Sequence, residues 1–502
     1  MSQTQINLKD FLEAIASGKK VLIIGLGKEN QQFIHWLSTT AKIPFKSLYF
    51  ADKAVPVLPL DWDKPGKTFY GEDYLNSLQE DTVEYVFKAP GIWSLLPEFE
   101  AFRQKKGFDR VNSSLVFFIQ KFKQNIIAVT GTKGKSTTSA LINHLLLESD
   151  YQSNYCGNTT GISPYTFWTE INQELDSKQA FVVELSSFQL QDLGFASISP
   201  SYSVITNYYI DHLDQHADSV EYWQAKDNIF KFQNQESDLV ISTNQVLEHS
   251  KVLPEVTNSF IVDDLTVDRL HEFVTHNLIG SHNQFNVTEA IIAVEAFISK
   301  VHTLGQILIA IEGMSAEYTS SLSKFKSLPH RLELIRSEKI AKDGVQINLN
   351  FYDDGFATEP DAVAAAIASL TRTSQDFIWL IVTGIDKGGT MDKLIHRIQS
   401  TLHQGKYFRA DYCGQVGQNI SLKLGLNKTE LVNFHQTTEE MLLNMDNHLQ
   451  TFRDFIFYKG LDKANLNIVL SPCGSSFDEF ENYYKRCDWW VEKIQGIDFK
   501  ND

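Results

Sequence analysis

The chain has 502 residues, with 45 Lys plus Arg against 62 Asp plus Glu and a formal net charge of −17. A surface this acidic excludes non-specific nucleic-acid binding, which is driven by cations that neutralise phosphates, yet it leaves room for a local cationic pocket. With 43% hydrophobic and 21% charged residues the composition excludes wholesale disorder, and the length suits about three domains.

Cys156, Cys413, Cys473 and Cys487 form no CxxC pair, so neither a disulfide framework nor a zinc site is expected. The opening residues, MSQTQINLKDFLEAIASGKK, lack an apolar core with a small-residue cleavage site, so no signal peptide is expected. No run of about 18 apolar residues predicts a membrane span. The expectation is a reducing, cytoplasmic setting.

In chain order, VLIIGLG at 21–27 reads as a buried strand closing in a Gly turn, since parallel strands covered on both faces are near-continuous apolar runs. NQQFIHWLSTT follows as a helix, SLYFAD as a strand ending near Asp52, and VEYVFKAPGI at 83–92 as a strand closed by Pro90 and Gly91. The polar QKFKQN predicts a boundary near residue 123, before NIIAVTGTKGKSTTSALINHLLLES, read as strand, turn and helix. Strand-like runs recur as AFVVEL, YSVITN and DLVIST, and a second boundary is expected near residue 328 at SLPHRLELI. FIWLIVTG, KYFRADYCG and NIVLSPCG then alternate with helical segments. Such alternation predicts an α/β protein with mainly parallel sheets. The expected domains are 1–122, 123–328 and 329–502.

Two Gly-rich turns carry different weight. GLGKEN has Gly25 and Gly27, but Asn30 stands where a dinucleotide fingerprint wants its third Gly, so a plain strand-to-helix turn is the main reading. In Thr130-Gly131-Thr132-Lys133-Gly134-Lys135-Ser136-Thr137 the glycines let successive N–H groups wrap a phosphate. Lys135 would reach the terminal phosphates, and the Ser136 hydroxyl would ligate Mg²⁺. The spacing is a short form of the phosphate-binding loop, GTxGK[ST], and ATP binding follows from it.

Downstream, Glu184 ends an apolar strand in ELSSFQL, where a carboxylate suits Mg²⁺ or a solvated terminus alike. Asp211-His212-Leu213-Asp214 offers further metal-capable groups, with His212 read as a ligand. Lys226 lies on a helix, where a solitary Lys is ordinarily a solvated charge. Asn283 and Asn286 open another helix and suit either capping or an adenine edge. Arg331, in LPHR, reads as an ion-pair residue or as a stabiliser of a transferring phosphoryl group. Asp353 and Asp354, Lys387 and Ser476 follow three later strands, and ligands of open α/β sheets bind at such carboxyl ends.

Taken in order, VTGTKGKST, GNTTG, ELSSFQL, NYYIDHLD, the Lys226 segment, GSHNQFN, LPHR, DDGFAT, TGIDKGG and LSPCGSSFDEFENY resemble the Mur ligases over essentially the whole chain, and especially the members that add D-glutamate. The resemblance implies three domains: a Rossmann-like domain for the UDP end, a central ATPase domain, and a Rossmann-like C-terminal domain for the amino acid. It implies an ATP-dependent ligase that phosphorylates the carboxylate of UDP-N-acetylmuramoyl-L-alanine and lets the amine of D-glutamate displace the phosphate, in peptidoglycan precursor synthesis. It casts Gly131, Thr132, Lys133, Gly134, Lys135, Ser136 and Thr137 as the phosphate loop, Lys135 and Ser136 holding phosphates and Mg²⁺. Glu184 and His212 become metal ligands, and Lys226 a carbamylated lysine that helps organise the metal. Asn283, Asn286, Arg331 and Asp354 match nucleotide contacts; Thr358, Lys387, Ser476 and Tyr483 match the amino-acid pocket; Asn158, Ser186 and Gln189 match the muramoyl-alanine. Lys28, Asp52, Lys53, Pro90 and Gly91 are the candidates for the UDP end. A monomer is expected, with no nucleic-acid partner and no membrane insertion.

Phe356 and Glu359 replace a Lys and an Asn of the family pattern. That removes positive charge near the expected amino-acid pocket and leaves the identity and stereochemistry of the added amino acid open. GNTTG is one residue longer than the usual GNIG. A folylpolyglutamate synthase or another amino-acid ligase stands as the related alternative. A non-catalytic nucleotide switch and a nicotinamide oxidoreductase stand further off.

Overall fold

The computed structural model describes residues 6–157, 160–168, 177–209, 216, 218–272, 274, 278–301, 303–342, 344–386, 390–403, 407–424, 432–442 and 445–497. The contacts group the chain into two units, Met1–Asn277 with Gln284–Phe325, and Leu278–Asn283 with Lys326–Asp502.

The first unit holds two parallel sheets. Strands β1 (Lys20–Ile24), β2 (Leu48–Asp52), β3 (Lys67–Tyr70), β4 (Val83–Lys88) and β5 (Val111–Asn112) run in the order β3-β2-β1-β4-β5. Strands β6 (Ile126–Thr130), β7 (Gln152–Cys156), β8 (Gln179–Glu184), β9 (Tyr202–Ile205), β10 (Leu239–Thr243) and β11 (Ser259–Val262) run in the order β11-β10-β9-β6-β8-β7. The strands at the centre of each sheet, KVLII and IIAVT, are buried nearly throughout, as strands covered by helices on both faces must be.

A boundary near residue 123 does not part the two sheets into separate cores. The helix Leu115–Phe122, LVFFIQKF, has six of its residues buried. Phe117 lies 5.6 Å from Phe87 of β4, and Phe118 lies 5.0 Å from Phe181 of β8, edge to face. One apolar cluster therefore runs from β1 and β4 to β6 and β8. A polar link accompanies it: Lys88 Nζ, at the end of β4, pairs with Asp192 Oδ2 at 2.9 Å, both side chains buried. Ser94 Oγ donates to the same carboxylate, and Arg103 Nη1 donates to the Ser94 carbonyl at 2.8 Å.

The second unit has one mixed sheet. Its strands are β12 (Glu333–Lys342), β13 (Val345–Asp353), β14 (Asp376–Thr383), β15 (Phe408–Tyr412), β16 (Val432–Phe434) and β17 (Lys463–Cys473), in the order β12-β13-β17-β14-β15-β16. Only the β12 and β13 pairing is antiparallel. Inside this sheet Asp411 takes both Nε and Nη2 of Arg409 (2.8 and 2.9 Å) and the indole Nε1 of Trp379, and lies 2.9 Å from His435 Nε2. Removing one partner of a buried ion pair strands the other charge, at a cost of about 3–5 kcal/mol. Asp411→Ala is thus expected to lower unfolding stability by roughly that much, read as a shifted denaturant midpoint; an unshifted midpoint would show the pair to be dispensable.

Among the described residues, no single helix is long and apolar enough to cross a membrane.

Candidate functional site

The phosphate-binding turn sits where β6 meets the helix Lys135–Glu148. Gly131 and Gly134 have φ of 143° and 84°, which side-chain-bearing residues rarely adopt. Space forbids a side chain as well: a Cβ on Gly131 would lie 2.0 Å from Thr206 Oγ1, and one on Gly134 2.6 Å from Asn286 Oδ1. The turn is tied from β9 and the residues after it, because Thr206 Oγ1 and Asn207 Nδ2 donate to the Lys133 carbonyl and Asn207 Oδ1 accepts from Lys133 N. The turn thus opens at the start of a helix, where N–H groups without intrahelical partners favour an anion.

Five candidate side chains converge on this turn. Lys135 Nζ donates to the carbonyls of Gly131 (2.9 Å) and Thr132 (3.1 Å). Ser136 Oγ donates to Glu184 Oε1 at 3.2 Å, while Tyr155 Oη donates to Glu184 Oε2 at 3.0 Å. Lys226 Nζ donates to the Gly131 carbonyl at 3.0 Å and lies 4.6 Å from the centre of the Tyr222 ring. Asn286 Oδ1 accepts from Thr138 Oγ1 at 3.3 Å. The solvated reading of Lys226 is overturned, because only 1% of it is exposed. A buried carboxylate beside a hydroxyl is a pair of hard oxygen donors, which suits Mg²⁺. Ser136 and Glu184 are thus a chemical fit for that ion. His212 lies outside the described residues.

Tyr155 and Asp227 join the site without any sequence signal. Asp227, next to Lys226, is pushed up to about 6 by burial, although Tyr208 donates its hydroxyl to it at 2.7 Å. Neither residue belongs to a contiguous motif, so nothing along the chain marks it.

Ser186 and Gln189 form a capping box at the start of the helix Ser187–Phe195. Their polar groups are engaged with each other, as an N-cap hydroxyl and its third helical residue commonly are. Asn158 lies outside the described residues.

The UDP-end candidates lie at the carboxyl edge of the first sheet, after β1, β2 and β4. Asp52 Oδ2 accepts from Leu26 N at 2.6 Å and Oδ1 accepts from Ala54 N at 3.1 Å. Asn30, at the place of the missing third Gly, donates its side-chain amide to the carbonyls of Ile24 and Gly25. It closes the turn that a Gly would otherwise leave open. Lys28 begins the following helix, and Lys53 makes an exposed pair with Glu72 at 3.2 Å. Pro90 and Gly91 lie in the turn after β4, where Ile92 N donates to the Ala89 carbonyl.

In the second unit, Asn283 donates its side-chain amide to the Ile279 carbonyl at 2.7 Å. Asn283 and Asn286, one helical turn apart, therefore serve different units. His330 and Leu332, on either side of Arg331, have φ of 63° and 50°, a conformation that bulky residues keep only when the surroundings impose it. Here His330 N donates to Glu333 Oε2 and Leu332 N donates to Asp354 Oδ1. Arg331 lies over the Phe356 ring at 5.7 Å, and Phe356 meets Tyr483 edge to face at 4.9 Å. Phe356 thus puts an aromatic contact where the family pattern has a cation. Thr358 follows on the same loop, its N–H bonded to the Phe356 carbonyl, and buried Ser476 offers its carbonyl to Phe480 N. Lys387 lies outside the described residues.

Asp354 accepts from Ser471 Oγ at 2.8 Å, yet burial, with Asp353 beside it, pushes its carboxyl up to about 7. An unfolded Asp loses its proton near pH 4. Between about pH 4 and 7 the folded chain holds a proton that the unfolded chain does not. Stability therefore falls as pH rises through that window, by up to about 1.4 kcal/mol per pH unit. Asp354→Asn is expected to remove this component, so its urea midpoint should fall less with pH than the parent's; parallel profiles would contradict a protonated Asp354.

A family model described as the Mur ligase middle domain matches residues 129–294. The chain is 27% identical to the UDP-N-acetylmuramoylalanine–D-glutamate ligase of Caldicellulosiruptor saccharolyticus over 93% of this chain and 97% of that one. It is 29% identical to the ligase of the same name from Rickettsia bellii, over 76% and 78% of the two chains. Among solved structures, the UDP-N-acetylmuramoylalanyl-D-glutamyl-2,6-diaminopimelate–D-alanyl-D-alanyl ligase of Acinetobacter baumannii covers 96% of this chain, with 92% of its own length matched, at a TM-score of 0.51 and 13% identity, and so shares the fold. The phosphate turn, the buried lysine and the carboxylate at the end of β8 all lie inside the segment that matches the Mur ligase middle domain, and the chain is similar over nearly its whole length to ligases of that family.

Proposed function

We propose that the chain joins D-glutamate to UDP-N-acetylmuramoyl-L-alanine at the expense of ATP, in peptidoglycan precursor synthesis. The observation that carries this reading is the convergence of Lys135, Ser136, Glu184 and Lys226 on one Gly-rich turn, in a chain similar throughout to ligases of that name.

A carboxylate is a poor acylating agent because its leaving group would be oxide. Transfer of the terminal phosphoryl group of ATP to the carboxylate oxygen makes an acyl phosphate and ADP. The amine then attacks the carbonyl carbon, the C–N bond forms, the C–O bond to phosphate breaks, and the amine gives up a proton. Lys135 and the turn's N–H groups hold the phosphates and oppose charge that develops on them. Ser136, Glu184, His212 and Lys226 would hold Mg²⁺, which when bound neutralises phosphate charge. Asn286, with Asn283, Arg331 and Asp354, is assigned to the nucleotide. Thr358, Lys387, Ser476 and Tyr483 are assigned to the amino acid. Asn158, Ser186 and Gln189 go to the muramoyl-alanine, and Lys28, Asp52, Lys53, Pro90 and Gly91 to the UDP end. The functional domains on this reading are 1–122, 123–328 and 329–502, in a cytoplasmic monomer.

The test is phosphate release from ATP with UDP-N-acetylmuramoyl-L-alanine and an amino acid. Release that requires both the acceptor and D-glutamate is expected. Release with L-glutamate alone would move the stereochemistry, as the loss of a cation at Phe356 allows. Release only with a folate acceptor would replace the reading.

A further inference from the structure

The second unit holds a group of donors that the ligase reaction does not use. His330, before Arg331, Asp353, at the end of β13, and Cys487, in the helix Tyr483–Gln495, bring an imidazole nitrogen, a carboxylate oxygen and a thiol sulfur within 4.8 Å of one another. His330 Nδ1 and Asp353 Oδ2 are 2.7 Å apart. The three come from chain segments far apart in sequence, and no CxxC or HxH spacing announces them.

Two features fit this group to a cation. Gly355 makes room for the sulfur: a Cβ there would lie 2.2 Å from Cys487 Sγ, so any side chain at 355 would displace the thiol from the group. The surroundings are also anionic on balance. Glu333, Asp354 and Asp488 stand with Asp353 in electrostatic reach of His330 or Cys487, against the guanidiniums of Arg331 and Arg486. With Asp354 held protonated by its burial, three carboxylates stand against two guanidiniums. Asp353 and Cys487 are buried, while His330 is partly exposed and opens the group to solvent.

We infer that His330, Asp353 and Cys487 bind a borderline divalent cation of the zinc class, through donors other than Ser136 and Glu184. Nitrogen, carboxylate oxygen and thiolate sulfur are the donors such an ion takes in a four-coordinate site, with water completing the set. The thiol passes its proton to solvent as the sulfur–metal bond forms. The inference stands whether or not the added amino acid is D-glutamate.

Cobalt(II) is the probe, added to the metal-stripped full-length chain. A thiolate-to-cobalt charge-transfer band that saturates near about one equivalent per chain is expected. Cys487→Ser should abolish the band, and His330→Ala should weaken binding roughly tenfold or more. Absence of the band in the parent, its survival in Cys487→Ser, or an unchanged midpoint in His330→Ala would each overturn the site. Circular dichroism of both variants identifies any loss of band that comes from unfolding. Should Cys487→Ser unfold, the His330→Ala midpoint decides.

Discussion

Lys135→Ala is expected to lower turnover of ATP by at least about 10³-fold, as loss of a preorganised charge on a transferring phosphoryl group does. Lys135 is the first residue of its helix, and its ammonium already lies against the loop, donating to the carbonyls of Gly131 and Thr132. The substitution removes those two local bonds but leaves the glycine conformations and the Thr206 and Asn207 ties to the turn intact. The fold should therefore survive, and circular dichroism should match the parent's. Nucleotide affinity should fall less than turnover, because the helix N-terminus still offers its N–H groups to phosphate, whereas the lysine charge matters most where charge develops. Steady-state ADP formation and equilibrium nucleotide binding separate the two effects. Near-parental ADP formation would remove Lys135 from the phosphate role and, with it, the reading of the turn.

How much of this was legible in the sequence depended on whether the signal was local. The phosphate turn was, because its strand, glycines, lysine and hydroxyl are contiguous and each is needed for a local reason. So were the central strands, since burial on both faces writes an unbroken apolar run. The edge strands were not: β3 reads KTFY with its first two residues exposed, and β7 reads QSNYC with one residue buried. A strand covered on one side only need not be apolar. The hairpin of β12 and β13 was also missed, because β13 alternates buried and half-buried residues as an antiparallel neighbour permits. Lys88 and Asp192 are 104 positions apart and each is unremarkable alone. Asn283 and Asn286 look like one motif along the chain, yet their side chains bond in different units. Spacing alone gives Lys226 a solvated reading and only the resemblance marks it, because its burial is decided by the Gly131 carbonyl and the Tyr222 ring, which no local spacing reveals.

Lys226→Ala is expected to lower turnover at least about 10²-fold, with part of the activity returned by a small carboxylic acid such as formate or acetate. Burying an ammonium is costly unless its charge is met, and here Lys226 Nζ donates to the Gly131 carbonyl and lies over the Tyr222 ring. A neutral amine at that position can add to the carbon of CO₂. The N–C bond forms, a proton leaves, and the residue becomes a carbamate. At the phosphate turn that anion would offer a hard cation an oxygen donor of the kind Ser136 and Glu184 supply. Alanine leaves a space of matching size, which a free carboxylate can fill. Lys226→Arg separates this account from a purely cationic role, because a guanidinium keeps the charge and the hydrogen bond but does not carbamylate. An active arginine variant would assign the work to the positive charge. An inactive one, together with rescue of the alanine variant and a carbamate carbon signal from ¹³C-bicarbonate in the parent, would assign it to the modified side chain. Failure of both the rescue and the signal would remove the carbamate and leave Lys226 as an anchor of the Gly131 carbonyl.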